Sequence, residues 1–206
     1  MIEVKICGIT NLEDALEVVK SGADMIGFIL SSGSPRTITP EKAKSIIEML
    51  PDTIEKVGVF VDESLARVNE LAEMLDIDYI QLHGSESPDY CSKVSKPVIK
   101  TIRVKDENSI NAIKNYDAAD FILLDTYAED KFGGTGRTFD WALAAKAKES
   151  KKTIMLSGGL NPKNITTAIE IVKPFGVDVA SGVEERPGKK DPKKIREFVK
   201  VVRTLQ

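Results

Sequence analysis

Reactive side chains follow several short apolar runs of the chain, each near the point where the run ends. Cys7 closes the first run, His83 follows the fourth and Asp125 follows the sixth. A thiolate can remove a proton from carbon and a carboxylic acid can donate one, so Cys7 and Asp125 are candidates for a general base and a general acid. Each also has an ordinary structural explanation, because a free cysteine is usually a buried apolar side chain and an aspartate often caps a loop.

Two glycine-containing segments after the seventh and eighth runs have the chemistry of an anion site. They are Ser157-Gly158-Gly159 and Ser181-Gly182. Glycine lets the backbone approach an anion and direct its N–H groups toward it. One such turn is weak evidence, but two at successive positions predict a phosphate site.

Arg36 and His83 are the remaining candidates for binding. The planar guanidinium of Arg36, in a Ser-Pro-Arg segment after the second run, could hold a carboxylate. His83 is the only histidine, and no Gly-x-Ser-x-Gly motif accompanies it, so we interpret it as a pocket wall. One histidine with Cys7 and Cys91 gives no recognisable metal constellation, so no metal is expected.

Eight apolar runs alternate with segments whose apolar residues recur every three or four positions, which indicates alternating strands and helices. The runs cover residues 4–7, 25–30, 57–61, 79–82, 98–102, 121–124, 154–156 and 177–179. A strand–helix unit of about 25 residues, repeated eight times, predicts an α/β fold: a single (β/α)8 TIM barrel over residues 1–206, with parallel strands and few insertions. An open doubly wound sheet uses the same units and stays an alternative.

Chemical signals mark the predicted helix starts. Thr10 with Glu13 fits a capping box, and Leu12, Ala15, Leu16 and Val19 form the predicted buried face of that first helix. Proline follows a capping side chain at Thr39-Pro40, Ser87-Pro88, Asn161-Pro162 and Asp191-Pro192. The long connection over residues 125–139 contains Gly133, Gly134 and Gly136 and is predicted to close as a lid.

Composition excludes several classes of function. The chain has 206 residues, of which 42% are hydrophobic, and a net charge of −3 without a basic block, so a nucleic-acid partner is not expected. Its apolar runs are far shorter than the roughly 20 residues of a membrane helix. Two cysteines are too few for a disulfide scaffold, which favours a cytoplasmic location.

The residues at the strand ends, taken in order, closely resemble the phosphoribosylanthranilate isomerase family. The series consists of Lys5-Ile6-Cys7-Gly8-Ile9-Thr10, Ser34-Pro35-Arg36, Gln81-Leu82-His83-Gly84, Leu123-Leu124-Asp125, Gly133-Gly134-Thr135-Gly136-Arg137-Thr138-Phe139-Asp140-Trp141, Ser157-Gly158-Gly159-Leu160, Asp178-Val179-Ala180-Ser181-Gly182-Val183-Glu184 and Pro187-Gly188-Lys189-Lys190-Asp191. Each piece is common, but their order and spacing over nearly the whole chain carry the resemblance.

The resemblance implies a cofactor-independent aldose–ketose isomerase of tryptophan biosynthesis, acting on the small molecule phosphoribosylanthranilate by an Amadori rearrangement. It assigns Asp125 as the general acid that opens the sugar ring and Cys7 as the general base that takes the C2 proton. Arg36 would bind the anthranilate carboxylate, and Gly158, Gly159, Ser181 and Gly182 the phosphate. The family contains both monomers and homodimers.

Two alternatives stay open at this point. A related sugar-phosphate isomerase of histidine biosynthesis performs the same rearrangement on another aminoaldose, although that family has an aspartate where this chain has Cys7. The chain could also be a barrel that binds phosphorylated ligands without catalysis. Turnover of the two substrates distinguishes these alternatives.

Overall fold

The computed structural model describes residues 1–126 and 140–205, which form a closed barrel of eight parallel strands in the order of the sequence. The strands are β1 (Glu3–Cys7), β2 (Met25–Ile29), β3 (Glu55–Phe60), β4 (Tyr79–Leu82), β5 (Val98–Val104), β6 (Phe121–Thr126), β7 (Thr153–Leu156) and β8 (Gly176–Val179). Strand β1 pairs with both β2 and β8, with Lys5 opposite Met25 on one side and Asp178 on the other. The predicted barrel is confirmed, and the open sheet is wrong because its edge strands would be unpaired.

A helix follows each strand. The helices are α1 (Leu12–Ser21), α2 (Pro40–Ile47), α3 (Leu65–Met74), α4 (Pro88–Cys91), α5 (Glu107–Asn111), α6 (Trp141–Lys146), α7 (Ile165–Val172) and α8 (Pro192–Thr204). Within the described ranges, no helix has the length and apolar character needed to cross a membrane. The predicted lid falls almost wholly on residues 127–139, outside the described residues, and the single domain over residues 1–206 stays a prediction.

Three of the four predicted proline starts are correct, at Pro40, Pro88 and Pro192, where the preceding side chain accepts a hydrogen bond from the first turn. The start at Asn161-Pro162 is wrong, because α7 begins only at Ile165. The Asn161 and Asn164 side-chain amides both donate to Gly159 O at 3.2 and 2.9 Å. They therefore hold this segment as a turn over the seventh strand end.

The predicted cap and buried face of α1 also need correction. The cap is Asn11, whose side chain accepts from Asp14 N, and not Thr10. Leu16 is 46% exposed, whereas Asp14 is buried and its carboxylate accepts from Lys190 N at 2.8 Å. The face of α1 that turns toward the barrel thus includes an acid that binds a later hairpin, which a purely apolar pattern does not indicate.

That hairpin, absent from the sequence prediction, lies between β8 and α8. It consists of β9 (Glu184–Arg186) and β10 (Lys189–Lys190), which pair antiparallel, with Gly188 at φ +79° in the turn. Strands of three and two residues are too short to show a periodic pattern. The hairpin brings Glu184 and Lys190 to the same end of the barrel as Cys7.

Apolar side chains form two separate clusters, one on each side of the barrel wall. The smaller cluster contains Met25, Val57, Ile99, Leu123 and Met155, which lie on the inward face of their strands. The larger cluster lies between the strands and the helices and includes Val4 and Ile6 of β1. Because side chains alternate along a strand, Lys5 and Cys7 then point inward. The apolar interior cluster thus gives way to polar side chains toward the carboxyl ends.

Candidate active site

A cavity of about 710 Å³ opens at the carboxyl ends of the barrel strands. Seven of the eight residues predicted from the sequence line it: Cys7, Arg36, His83, Asp125, Gly158, Gly159 and Ser181. Gly182 does not line it. A side chain there would clash with the backbone, because a Cβ atom would lie 1.8 Å from Leu160 O. The strand ends therefore bring residues from positions 7 to 181 of the chain around one space.

Cys7 is the last residue of β1 and is only 6% exposed. Burial raises the pKa of its thiol, and the carboxylate of Asp178 acts in the same direction, whereas Lys5 and Lys190 lower it. Lys5 Nζ donates to Asp178 Oδ1 at 2.9 Å, and Lys190 Nζ donates to the backbone carbonyl of Cys7 at 2.6 Å. Two buried ammonium groups therefore lie close to the thiol.

Asp125 lies within β6, 4% exposed, with its two carboxylate oxygens in different surroundings. Oδ1 accepts from Thr126 N at 2.7 Å, and Oδ2 lies 3.2 Å from His83 Nε2, a contact without hydrogen-bond alignment. Gln81 Nε2 lies 2.9 Å from the other ring nitrogen, His83 Nδ1. With the amide donating, Nδ1 is an acceptor and a neutral ring carries its proton on Nε2, facing Asp125.

Arg36 is buried and forms a bidentate pair with Glu184. Its Nε and Nη2 atoms donate to Glu184 Oε1 and Oε2, both at 2.8 Å, and Lys190 Nζ lies 3.1 Å from Oε1. Burial alone would raise the pKa of Glu184, but the hydrogen bond from Arg36 and the charge of Lys190 outweigh it, so the pKa is lowered. One edge of the guanidinium is thus fixed by the hairpin.

The two glycine segments meet at the cavity beside Asp125. Gly158 and Gly159 have φ of +88° and +66°, in the left-handed region. A Cβ at Gly158 would lie 2.3 Å from Thr126 Oγ1 and 3.0 Å from Asp125 Oδ1. Glycine is therefore required by both conformation and space, and the backbone after β7 passes directly against the end of β6. Ser181 begins a short 3₁₀ helix, Ser181–Val183.

No function was predicted for Lys5, Asp178, Glu184 and Lys190, whose charged side chains lie near Cys7 or Arg36. A signal for Lys5 existed, because it lies two residues before Cys7 on the same strand and therefore on the same face. Asp178 follows from the same alternation once the pairing of β8 with β1 is known. Glu184 and Lys190 gave no periodic signal because they lie in the short hairpin.

Neither this cavity nor the rest of residues 1–126 and 140–205 contains a cluster of side chains typical of a metal site. No group of three or more His, Cys, Asp or Glu side chains in these residues is arranged to hold a metal ion. The ionisable groups that line the cavity are a thiol, three carboxylates, an imidazole and a guanidinium. This set is suited to moving protons and binding anions.

Comparison with known proteins agrees with this geometry. Residues 4–201 match the family model described as "N-(5'phosphoribosyl)anthranilate (PRA) isomerase". A relative from Pelobacter propionicus, an N-(5'-phosphoribosyl)anthranilate isomerase, is 52% identical over 203 residues, covering 98% of this chain and 96% of the relative. The crystal structure of phosphoribosyl anthranilate isomerase from Thermotoga maritima has 44% identity and a TM-score of 0.93, covering 99% of this chain and 100% of that chain.

A second solved structure was determined with a ligand. It is a phosphoribosyl anthranilate isomerase in complex with reduced 1-(o-carboxyphenylamino)-1-deoxyribulose 5-phosphate, with 43% identity and a TM-score of 0.90. The match covers 99% of this chain and 100% of that one. The similarity therefore extends over the whole barrel and its cavity.

Proposed function

Because the chain belongs to the N-(5'-phosphoribosyl)anthranilate isomerase family, we propose that it converts N-(5-phosphoribosyl)anthranilate to 1-(2-carboxyphenylamino)-1-deoxyribulose 5-phosphate in L-tryptophan biosynthesis. The reaction is an Amadori rearrangement, an internal redox isomerisation of an aminoaldose to an aminoketose. One observation carries the proposal: a buried thiol and a buried carboxylate, Cys7 and Asp125, line the same cavity as the two glycine segments.

Proton transfer at two sites on the sugar accounts for the chemistry. Asp125 donates a proton to the furanose ring oxygen, the bond from that oxygen to C1 breaks, and the nitrogen lone pair forms an iminium ion. The Cys7 thiolate then removes the proton from C2, which gives an enolamine. Tautomerisation of the enolamine produces the ketone. Acid–base groups of this kind typically contribute about a hundredfold or more in rate.

The two charged ends of the substrate have matching partners in the cavity. We assign the phosphate to backbone N–H groups of Gly158, Gly159, Ser181 and Gly182, and the anthranilate carboxylate to Arg36. Glu184 occupies one edge of the guanidinium and fixes its plane, while donors remain on the other edge. His83 forms the wall beside Asp125. Binding both ends orients the sugar carbon between acid and base.

The proposal is tested by turnover of phosphoribosylanthranilate, generated in place and followed by its fluorescence. The unaltered protein should remove the signal rapidly, and Asp125→Asn should be slower by about a hundredfold or more. Asp117→Asn is the matched control, because that carboxylate is almost fully exposed on the outer surface. Equal rates for the unaltered protein and Asp125→Asn would contradict the assignment of the acid.

A parallel assay with the aminoaldose of histidine biosynthesis tests the related activity. That substrate should be a poor one, because Cys7 stands where that family has an aspartate. Turnover of neither substrate by well-folded protein would favour the phosphorylated-ligand binder. We further propose a cytoplasmic location, since both cysteines are free thiols. The oligomeric state, monomer or homodimer, stays a prediction.

A further inference from the structure

A fully buried lysine lies beside the proposed base and has no role in the proposed reaction. Lys5 is 0% exposed and precedes Cys7 by two residues on the inward face of β1. A Cβ atom on Gly27 would lie 2.9 Å from Cys7 Sγ and 3.1 Å from Lys5 Nζ. The thiol and the ammonium therefore converge on the same small space above Gly27 of β2.

Asp178 fixes this ammonium in place. Lys5 Nζ donates to Asp178 Oδ1 at 2.9 Å, and Ser157 Oγ donates to Oδ2 at 3.2 Å. Burial lowers the pKa of Lys5, but the adjacent Asp178 carboxylate and Cys7 outweigh burial, so the pKa lies above its ordinary value. Lys5 is thus a permanent cation within the pH range in which an enzyme would work.

Three charged groups face Cys7: Lys5 from its own strand, Asp178 from β8 and Lys190 from β10. Lys190 Nζ donates to three oxygen atoms, those of Cys7 O, Ala180 O and Glu184 Oε1. These bonds attach the hairpin to the barrel, which explains why Lys190 is placed there. Lys5 converges on the sulfur itself, where an opposite charge in a low-dielectric interior has its largest effect.

We propose that Lys5 is a positioning residue for the base: its ammonium, anchored by Asp178, stabilises the thiolate of Cys7 against the burial that disfavours it. The kinetic part of this inference rests on the proposed function, whereas its effect on the thiol does not. Asp178 acts through Lys5 and makes no contact with the reacting atoms in this account. Ser157 in turn orients Asp178.

The test uses two measurements made at about pH 6–10, a range that includes the ordinary pKa of a cysteine thiol. One is the alkylation rate of Cys7 by iodoacetamide in a Cys91→Ser background, and the other is kcat/KM for phosphoribosylanthranilate. The variants are Lys5→Met and the double variant Lys5→Met/Asp178→Asn. The double variant removes both charges of the pair, so no unpaired charge is left buried, and it should fold even if the single variant does not. Lys152→Met is the control, since its partner Asp117 lies on the outer surface.

We expect Lys5→Met to move both profiles to higher pH by about one unit, which lowers each rate about tenfold near neutral pH. Raising the pH toward about 10 should recover part of the lost rate. The double variant should shift in the same direction by less, because the opposing Asp178 charge is removed as well, and Lys152→Met should not shift. A uniform loss at all pH values, or profiles that coincide with the unaltered protein's, would overturn the proposal. A shift in alkylation without any isomerase activity would uphold it and refute the proposed function instead.

Discussion

The Lys5–Asp178 and Lys100–Glu86 pairs are both buried and each lies near a buried cysteine, yet only the first lies beside a cysteine that lines the cavity. Lys5 and Asp178 lie inside the barrel beside Cys7. Lys100 and Glu86 lie outside the barrel wall, near Cys91. Lys100 Nζ donates to Leu82 O, Gly84 O and Glu86 Oε2, and it lies 5.7 Å from the centre of the Tyr116 ring.

The comparison shows that residue types and burial do not by themselves make a functional site. Burial raises the pKa of both thiols, and a lysine opposes this increase in each case. The difference lies in where the thiol faces. Cys91 is part of the apolar cluster between strands and helices, whereas Cys7 lines the cavity. The outer pair fixes the connection after β4, and the inner pair lies beside a thiol that a substrate can reach.

The largest expected effect is on stability, at the outer pair. Lys100→Met leaves the Glu86 carboxylate buried without its cation, and breaking a buried pair in this way costs about 3–5 kcal/mol. We expect the free energy of unfolding in urea to fall by that amount. The folded fraction should alkylate Cys7 with the same pH profile as the unaltered protein. A changed Cys7 profile would show that the two pairs are coupled.

The next effect is on turnover and compares the two thiols directly. Cys7→Ala should lower kcat about a hundredfold or more, because the C2 proton loses its acceptor. Cys91→Ala should leave kcat unchanged, at the cost of a small cavity in the outer cluster. Both variants are measured by the fluorescence assay after their far-UV spectra are matched. Full activity of Cys7→Ala would return that thiol to a structural role.

A third buried carboxylate, Glu184, should make the free energy of unfolding depend on pH. Because its pKa is lowered in the folded protein, it stabilises the fold above the ordinary glutamate range, and this contribution is lost as pH falls through the folded value. The difference in unfolding free energy between the unaltered protein and Glu184→Gln should therefore be largest near neutral pH and shrink on acidification. Urea titrations at several pH values measure it, and a difference that grows toward low pH would contradict the account.

The smallest effect concerns a single hydrogen bond at the outer pair. Tyr116 Oη donates to Glu86 O at 3.2 Å, and Tyr116→Phe removes this bond while keeping the ring near Lys100. We expect a loss of about 1 kcal/mol in unfolding free energy. Isomerase kcat should not change, because this residue lies outside the barrel wall. A change in kcat would mean that the outer pair also shapes the cavity.

Sequence patterns predicted the strands well because parallel strands buried on both faces are almost continuously apolar. Lys5 lies within such a run, and its role was not predicted because it depends on the pairing of β1 with β8, which places Asp178 beside it. Local chemistry predicted the starts at Pro40, Pro88 and Pro192 but failed at Asn161-Pro162. There the asparagine side chains bond to Gly159 O, a contact set by the loop above β7.

The sequence predicted which residues form the candidate site better than it predicted which partners hold them in place. The eight predicted residues come from the carboxyl ends of strands and from the loops that follow them, which any (β/α)8 barrel gathers at one end. The partners that fix them, such as Glu184 for Arg36 and Gln81 for His83, depend on a short hairpin and on side-chain orientation within the barrel. Neither the hairpin nor these side-chain orientations produce a periodic pattern in the sequence.

The most direct test of the account is alkylation of the unaltered, folded protein by iodoacetamide, with peptide mapping and residual turnover measured on the same samples. We expect Cys7 to be modified while Cys91 is protected, and turnover of phosphoribosylanthranilate to fall in proportion to the modified fraction of Cys7. Modification of Cys91 at an equal rate, or turnover that survives complete modification of Cys7, would contradict it.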